Sequence, residues 1–219
     1  MTLHLPHEEG RDALLDELAS WQQVLTAFDD LEAPSRCAGW NCGQLLVHVL
    51  LGLQEVALAL LDVAEPGPVT VDAAGYWARY PAGGDPDREA RRLDGFVRAY
   101  PEPSELTGHV GDTVAALLRG VRRCREGRVG FQDLTFGTGD FLGSWAVELA
   151  VHHLDLIAAP PAASALHLAR RTVDDLADGA VPADWDDATV VLAGTGRVPL
   201  TDGLRQEFPA LAHRFPVLR

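Results

Sequence analysis

Residues 145–157, WAVELAVHHLDLI, contain the pattern that decides the fold and the chemistry expected of this sequence. Most of these positions are apolar, which is typical of a helix that is largely buried. Glu148 and His152 are four positions apart, so a helix places their side chains on one face with Cβ atoms about 5–6 Å apart. A buried Glu148 needs a partner, because an isolated charge is costly inside a protein. The pattern therefore predicts a core helix that presents a carboxylate and an imidazole together.

His48 lies 100 positions before Glu148, inside the aliphatic run LLVHVLL of residues 45–51. A single histidine on an apolar face is more often a core residue than a ligand, but polar side chains in two core helices can face each other. Gly52, one turn after His48, leaves room for a ligand beside the imidazole. Two histidines and one carboxylate are the ligand set of open catalytic zinc sites, and Fe²⁺ or Ni²⁺ also accepts it. We therefore predict one divalent metal, most simply Zn²⁺, at His48, Glu148 and His152.

Asp155 extends the same helix face by another three residues. It is a candidate fourth ligand, or a hydrogen-bond acceptor that fixes the tautomer of a ligating histidine. His153 points away from Glu148 by helical geometry and is the poorer ligand. Cys37 and Cys42 are five positions apart, which is wrong for a paired-thiolate zinc site, so we interpret them as ordinary residues near a helix start.

Apolar residues recur at spacings of three and four along most of the chain, which indicates amphipathic helices. Helices are predicted over residues 14–28, 41–63, 86–100, 103–121, 144–157 and 164–180. Asn41 and Gln44 form a capping box for the second helix, and Ser144 caps the fifth. Long helices with short breaks predict an all-α helix bundle.

Two segments do not fit this helical pattern. Residues 65–84 are predicted to form a long connection, which is often functional in compact domains. It carries an aromatic patch of Tyr76, Trp77 and Tyr80. In the tail, residues 189–193 are β-branched enough for a strand, but the run is too short to decide between a strand and a helix.

The composition excludes several function classes. With 18 Lys and Arg against 32 Asp and Glu, the formal net charge is −14. Nucleic acids and anionic membranes require clustered cations, so neither is expected as a main partner. The longest apolar run, residues 45–61, is too short and too polar to span a bilayer. The odd count of three cysteines and the polar, acidic N-terminus predict a soluble protein of the reducing cytoplasm.

Three stretches carry a resemblance to a known family. Residues 35–48, SRCAGWNCGQLLVH, resemble the first motif of mycothiol-dependent maleylpyruvate isomerase N-terminal domains, which are DinB-like metal-binding helix bundles. Residues 148–156, ELAVHHLDL, resemble the second motif of that family. Residues 192–201, LAGTGRVPLT, resemble the closing segment of many actinobacterial members.

The resemblance implies that His48, Glu148 and His152 are the metal ligands. It also implies a DinB-like four-helix bundle with additional short helices, and a helical tail in place of a strand. We assign residues 1–182 to the bundle and residues 183–219 to a short C-terminal extension packed on it.

The function implied by the resemblance is that of a metal-dependent isomerase or thiol transferase with mycothiol or a similar thiol as cosubstrate and a small organic acid as substrate. A metal-bound thiol has a lowered pKa, and its thiolate adds to the double bond of an enoate. Arg79 and Arg197 are candidate holders of the substrate carboxylate, Asp155 is a further catalytic candidate, and His109 is a candidate pocket residue. The alternative is a non-catalytic bundle, with or without metal, that binds a small ligand or a partner protein. Either protein is expected to be a monomer or a homodimer.

Overall fold

The computed structural model describes residues 3–79 and 85–218, without the side chain of Pro86. Tyr80 of the predicted aromatic patch lies outside the described residues. The helices are α1 (His7–Leu25), α2 (Cys42–Ala59), α3 (Ala73–Arg79), α4 (Pro86–Val97), α5 (Pro103–Val121), α6 (Thr138–Leu156), α7 (Ala163–Leu176), α8 (Asp187–Gly194), α9 (Asp202–Glu207) and α10 (Pro209–Arg214). A 3-10 turn (Leu60–Asp62) extends α2, and strands β1 (Arg128–Phe131) and β2 (Leu134–Gly137) pair as an antiparallel hairpin. This architecture confirms the predicted all-α class with additional short helices.

Four helices, α1, α2, α5 and α6, form the core bundle. Helix α6 packs along α1, α1 along α5 and α5 along α2, and α2 meets α6 so that the ring closes. Side chains at the centre are almost completely shielded from solvent, among them Leu18, Trp21, Leu45, Val114 and Leu149. Burial of a large aliphatic side chain contributes about 1.5–3 kcal/mol, so this interior is the main source of stability. The ring makes neighbours of α2 and α6, the two helices that carry the predicted metal ligands.

The predicted capping box fixes the start of α2. The Gln44 backbone N–H donates to the Asn41 side-chain oxygen, and the Asn41 N–H donates to the Gln44 side chain, both at 2.9 Å. This reciprocal pair satisfies amide groups that a helix end leaves without partners. Because Gln44 lies one turn before His48, the box also sets the direction in which the His48 side chain leaves the helix.

The segment Cys42–Asp62 has the length and composition of a membrane span, with a mean hydropathy of 1.8. A core helix of a soluble protein meets the same criterion, so this is weak evidence for a membrane. Buried positions of α2, such as Leu46, Leu50 and Leu53, belong to the core of the bundle. Packing thus accounts for part of the apolar character of this segment, whereas Leu58 and Leu61 near its end are exposed.

The start of α6 differs from the prediction. The helix begins at Thr138 and not at Ser144, and the glycines in its first two turns are packing positions. A Cβ on Gly139 would lie 2.1 Å from the Leu5 carbonyl oxygen, and a Cβ on Gly10 would lie 2.0 Å from the Gly139 carbonyl oxygen. Only glycine permits backbones to approach so closely. The glycines thus bring α6 directly against α1.

The hairpin of β1 and β2 lies between α5 and α6, in a stretch for which the sequence predicts no helix. Its two-residue turn is Gln132-Asp133, with positive φ angles of 49° and 60°. Such turns most often contain Asn-Gly or Asp-Gly, so the sequence carried no clear signal for this one. Arg128 and Ala64 exchange two backbone hydrogen bonds, which tie the hairpin to the chain that follows α2.

Helix α8 shows which secondary structure the tail adopts. Residues 189–193 are helical, as the resemblance implies, and do not form a strand. Helix α8 lies against α7, where a Cβ on Gly194 would come within 2.5 Å of a Val173 methyl group. A second apolar cluster joins the tail to α7 and includes Val173, Val190, Leu200, Leu211 and Leu218. The division of the chain at residues 182 and 183 stays a prediction.

A fully buried polar pair fastens α6 to α1 and α7. His153 Nδ1 donates to Glu17 Oε1 at 2.8 Å, and the Ala162 N–H donates to Glu17 Oε2 at 2.7 Å. Both side chains of the pair have 0% exposure. His153 therefore faces α1, on the side of α6 away from Glu148, as helical geometry predicts.

Replacement of Glu17 by alanine tests this fastening. We expect Glu17→Ala to lower the free energy of unfolding by about 3 kcal/mol, because it leaves the His153 ring and the Ala162 amide without partners in the interior. Urea denaturation of the metal-free protein measures the loss. Asp16→Ala is the matched control, since this neighbouring carboxylate only accepts an exposed hydrogen bond from Ser164 and should cost less than about 1 kcal/mol. Equal losses for the two variants would contradict the assignment.

Candidate metal centre

The three predicted ligands meet between α2 and α6. His48 Nε2 lies 3.4 Å from Glu148 Oε1, and His152 Nε2 lies 3.2 Å from the same oxygen. The centroids of the two imidazole rings are 4.8 Å apart, and the rings meet edge to face. One ligand atom from each residue lies within 4.8 Å of the other two. The fold thus brings together the side chains of His48 and Glu148, which are 100 positions apart in the sequence.

The donor set fits a divalent cation. Ligand atoms at about 2.0–2.2 Å from a tetrahedral zinc ion lie about 3.3 Å from one another, close to the two nitrogen–oxygen separations in this cluster. Two imidazoles and one carboxylate also leave a fourth position open, which is the composition of catalytic zinc sites. In the metal-free protein the same distances are hydrogen bonds from both imidazoles to Glu148.

Asp155 holds the opposite edge of the His152 ring. Its Oδ2 accepts a hydrogen bond from His152 Nδ1 at 3.1 Å, and its side chain is fully buried. A carboxylate on Nδ1 selects the tautomer whose Nε2 can bind a metal, an arrangement common behind metal-bound histidines. Of the two roles predicted for Asp155, this contact supports the orienting one.

Arg197 and Cys37 complete the surroundings of Asp155. Arg197 donates to both carboxylate oxygens, from Nε to Oδ1 at 3.2 Å and from Nη2 to Oδ2 at 3.0 Å. The Cys37 thiol donates to Asp155 Oδ2 at 3.1 Å and lies 3.9 Å from His152 Nδ1. Cys37, His152 and Asp155 are close enough to one another to form a second metal-ligand group. Cys37 is therefore part of the cluster, which its interpretation as an ordinary residue near a helix start did not anticipate.

The charges of the cluster shift each other's protonation. Burial alone would raise the pKa of Glu148, but His152 and His48 lower it well below its usual value. Burial would lower the pKa of His152, but Glu148 and Asp155 raise it well above 6.5. Burial likewise opposes ionisation of Asp155, yet His152 and Arg197 lower its pKa to about 2. The raised pKa favours the doubly protonated form of His152 in the metal-free protein, and a bound metal would take the place of the proton on Nε2.

The cluster opens to solvent on the side of His48 and Glu148. Trp145 and Glu148 are the two residues of α6 that are not buried, and the side chains of His48 and Glu148 are 32% and 23% exposed. Trp40 packs against His48 with ring centroids 5.2 Å apart and the two rings tilted by 51°. The room predicted beside Gly52 is filled by Trp145, because a Cβ there would lie 2.9 Å from the indole ring. We refer to His48, Glu148, Trp40 and Trp145 as the site mouth.

The other candidates have different positions. Arg79 is the exposed last residue of α3, and no hydrogen bond or ion pair within residues 3–79 and 85–218 joins it to the cluster. His109 is exposed on α5 and lies 2.8 Å from the Tyr100 hydroxyl. Arg197 is in the cluster, but its guanidinium already serves Asp155. The contacts thus support Arg197 as a partner of Asp155 more than as a holder of substrate.

Comparison with known proteins places this arrangement in a family. The mycothiol maleylpyruvate isomerase N-terminal domain family matches residues 11–157. The chain belongs to this family. The match runs from α1 to the first residue after α6 and includes His48, Glu148 and His152, while Arg197 lies beyond it. The resemblance predicted from the sequence motifs is confirmed. Among curated proteins, none matches the sequence significantly.

Two solved structures share the fold of this family member. One is a crystal structure of the mycothiol-dependent maleylpyruvate isomerase, with a TM-score of 0.55 and 16% identity, covering 81% of this chain and 74% of that chain. The other is a histidine-to-alanine mutant of the mycothiol-dependent maleylpyruvate isomerase, with a TM-score of 0.55 and 17% identity, covering 80% of this chain and 69% of that chain. At these identities the likeness establishes a common fold.

The depressed pKa of Asp155 predicts a pH-dependent stability. Its folded pKa of about 2 lies below the ordinary 3.8, so its contribution of about 2 kcal/mol is complete above about pH 4 and is lost as the pH falls through 2. The difference in free energy of unfolding between the wild type and Asp155→Asn should therefore shrink by about that amount from pH 5 to pH 2. Urea unfolding in the presence of a chelator measures this difference.

Arg197→Gln provides the control for this prediction. In that background the same comparison should show a smaller change with pH, because Arg197 is one of the groups that lower the pKa of Asp155. A difference that does not vary between pH 5 and pH 2 would show that Asp155 is not held as a buried carboxylate.

Proposed function

We propose that this protein is a zinc-dependent enzyme that uses mycothiol, or a low-molecular-weight thiol like it, to isomerise a small unsaturated acid or to transfer the thiol onto it. The observation that carries the proposal is the convergence of His48, Glu148 and His152 at an opening between two core helices. Family membership supports the thiol and the reaction class, because the family is named for the maleylpyruvate isomerase that depends on mycothiol.

Some residues of the site would bind the metal, and others orient or neutralise the residues that bind it. His48, Glu148 and His152 would hold the cation, which supplies a Lewis acid that lowers the pKa of a coordinated thiol. Asp155 keeps the His152 ring in place through Nδ1. Arg197 balances the charge of Asp155, so that this carboxylate can remain ionised in the interior. Trp40 lies against His48 and Trp145 against Gly52, so these two rings would border the opening.

The proposed reaction on a cis enoate requires no net redox change. The thiolate adds to the carbon–carbon double bond, so that a sulfur–carbon bond forms and the electron pair of the double bond moves towards the adjacent carbonyl. Rotation about the new single bond follows. The electron pair then returns, the double bond re-forms in the trans geometry and the sulfur–carbon bond breaks, which regenerates the thiolate. A transferase would protonate the adduct and release it.

We also propose that the protein works in a reducing compartment. A thiol cosubstrate has to stay reduced, and Cys37, Cys42 and Cys124 are free in this structure. Thiols of this kind persist in the cytoplasm, where disulfides are rare. We therefore propose that the enzyme acts there on a soluble acid.

Metal binding is the first test. Isothermal titration should give one Zn²⁺ per chain, and His48→Ala and His152→Ala should each weaken binding by about 100-fold or more, since each removes one of three protein ligands. Affinity should also fall with decreasing pH, because a protonated imidazole cannot bind a metal ion. His167→Ala, an exposed histidine on α7, is the matched control and should bind as the wild type does. Tight binding in all three variants would rule out this ligand set.

Turnover is the second test. Zinc-loaded protein with mycothiol and maleylpyruvate should form the trans isomer, and omission of either the thiol or the metal should abolish the reaction. Chromatography separates the isomers and any thiol adduct, which distinguishes an isomerase from a transferase. A protein that binds zinc at the site but gives no thiol-dependent product with a panel of unsaturated acids would contradict the enzyme assignment and favour a binding protein.

A further inference from the structure

An open cavity of about 440 Å³ lies between the C-terminal parts of α2 and α5. Small-molecule sites in proteins have volumes of about 300–1,000 Å³. The residues that line this cavity are different from those of the metal cluster and the site mouth. Ala57, its first lining residue on α2, comes nine positions after His48, which places it roughly 13 Å further along the helix and on the opposite side. The cavity is therefore separate from the candidate metal centre.

The walls of the cavity are apolar. Ala57 of α2 and Ala116 and Gly120 of α5 line it, and their small size leaves the gap between the two helices. A Cβ built on Gly120 would meet no neighbouring atom within 4 Å, so there is free space beside it. Leu117 and Leu61 add aliphatic surface, and Leu61 is 81% exposed. An apolar ligand here would cover surface that the fold leaves in contact with water, and such burial is favourable.

Two arginines also line the cavity. Arg123 and Arg125 follow the end of α5, and neither side chain forms a hydrogen bond or an ion pair with any residue that the structure describes. Glu126 follows Arg125 and Asp62 follows Leu61 in the chain, but neither carboxylate belongs to the lining. The ends of α2 and α5 contribute only about half a negative charge each, against two full positive charges on the guanidinium groups. The lining is therefore complementary to an anionic group.

The apolar walls and the unpaired cations together indicate the chemistry of the occupant. A symmetric contact with a second copy would bring Arg123 and Arg125 of both chains together, and repulsion between like charges disfavours it. An anionic membrane is disfavoured by the net charge of −14, and a flat bilayer would not fill a concave site. A small molecule with an alkyl chain and one anionic end matches both parts of the lining.

We propose that this cavity binds an amphiphile of the fatty-acid type, with its alkyl chain between α2 and α5 and its carboxylate on Arg123 and Arg125. The planar guanidinium of an arginine binds a carboxylate with two parallel hydrogen bonds. Because the cavity shares no residue with the metal cluster, this binding does not depend on the thiol chemistry proposed above. The protein thus carries a second ligand site, on the far side of α2.

Isothermal titration with decanoate, below the concentration at which it forms micelles, tests the proposal. A chelator is included so that no metal at the other site can hold the carboxylate. Decanoate should bind at one site per chain, and each methylene added from hexanoate to decanoate should strengthen binding about two- to fourfold. Decanol, which has the same chain without the charge, should bind about tenfold more weakly.

Gly120→Leu should abolish binding, because its side chain fills the free space. Gly108→Leu is the matched control, since Gly108 is also on α5 and has no atom within 4 Å of an added Cβ, but does not line the cavity. Arg123→Gln and Arg125→Gln should each weaken decanoate binding about three- to tenfold. Arg122→Gln removes the same charge outside the lining and should bind as the wild type does. Thermal unfolding shows that each variant is folded.

Equal decanoate affinity in the wild type and Gly120→Leu, or equal losses in Arg122→Gln and Arg123→Gln, would overturn the proposal. A wild-type dimer in analytical ultracentrifugation that Leu61→Ser converts to a monomer would overturn it too, because a second copy would then cover the cavity. The titration uses neither thiol nor metal, so its outcome and that of the turnover test are independent of each other.

Discussion

The rest of the structure depends on one interaction, in which the His152 imidazole lies between the carboxylates of Glu148 and Asp155. His152 is buried and lies within 3.2 Å of Glu148 and 3.1 Å of Asp155. A carboxylate that is shielded from solvent, fully at Asp155 and partly at Glu148, is stable as an ion only if positive charge stands beside it. Arg197 provides that charge for Asp155. On the side of Glu148 the raised pKa of His152 favours a protonated imidazole in the metal-free protein, and a divalent cation would supply the charge in the zinc-loaded enzyme that we propose.

The rest of the bundle keeps this arrangement in place. Helix α6 is buried along its whole length except at Trp145 and Glu148, so it has little freedom to rotate or slide. The contact of Gly139 with α1 and the bond of His153 to Glu17 fix one side of the helix. The capping box of α2 sets the register of the opposite ligand. A mobile scaffold would not keep three ligand atoms within coordinating distance, whereas packed helices can.

The sequence predicted the local parts of this site well and the distant parts poorly. Glu148, His152 and Asp155 lie on one helix face, so their proximity followed from helical periodicity alone. His48 was found because it interrupts an apolar run. Contacts between segments that are remote in the chain, such as that of Cys37 with Asp155, are marked by neither helical periodicity nor an interrupted apolar run.

Cys37 and the start of α6 show what was missed. Cys37 reaches Asp155 across 118 positions, and nothing in its local spacing marked it as part of the cluster. The glycines at the start of α6 lie before the predicted helix start at Ser144, although they belong to the helix and serve close packing against α1. In both cases the deciding physical fact is a contact between segments remote in the chain. Arg197 was predicted as a candidate holder of the substrate carboxylate, but its contact with Asp155 was not predicted.

The coordination shell of bound zinc tests the central claim most directly. Zinc K-edge X-ray absorption of the loaded protein should show nitrogen and oxygen ligands at about 2.0–2.2 Å, with an imidazole pattern from two histidines and no sulfur. Addition of a low-molecular-weight thiol should introduce one sulfur at about 2.3 Å. A sulfur in the shell before the thiol is added would place the metal at Cys37, and a shell of water oxygens alone would mean that His48, Glu148 and His152 do not bind it.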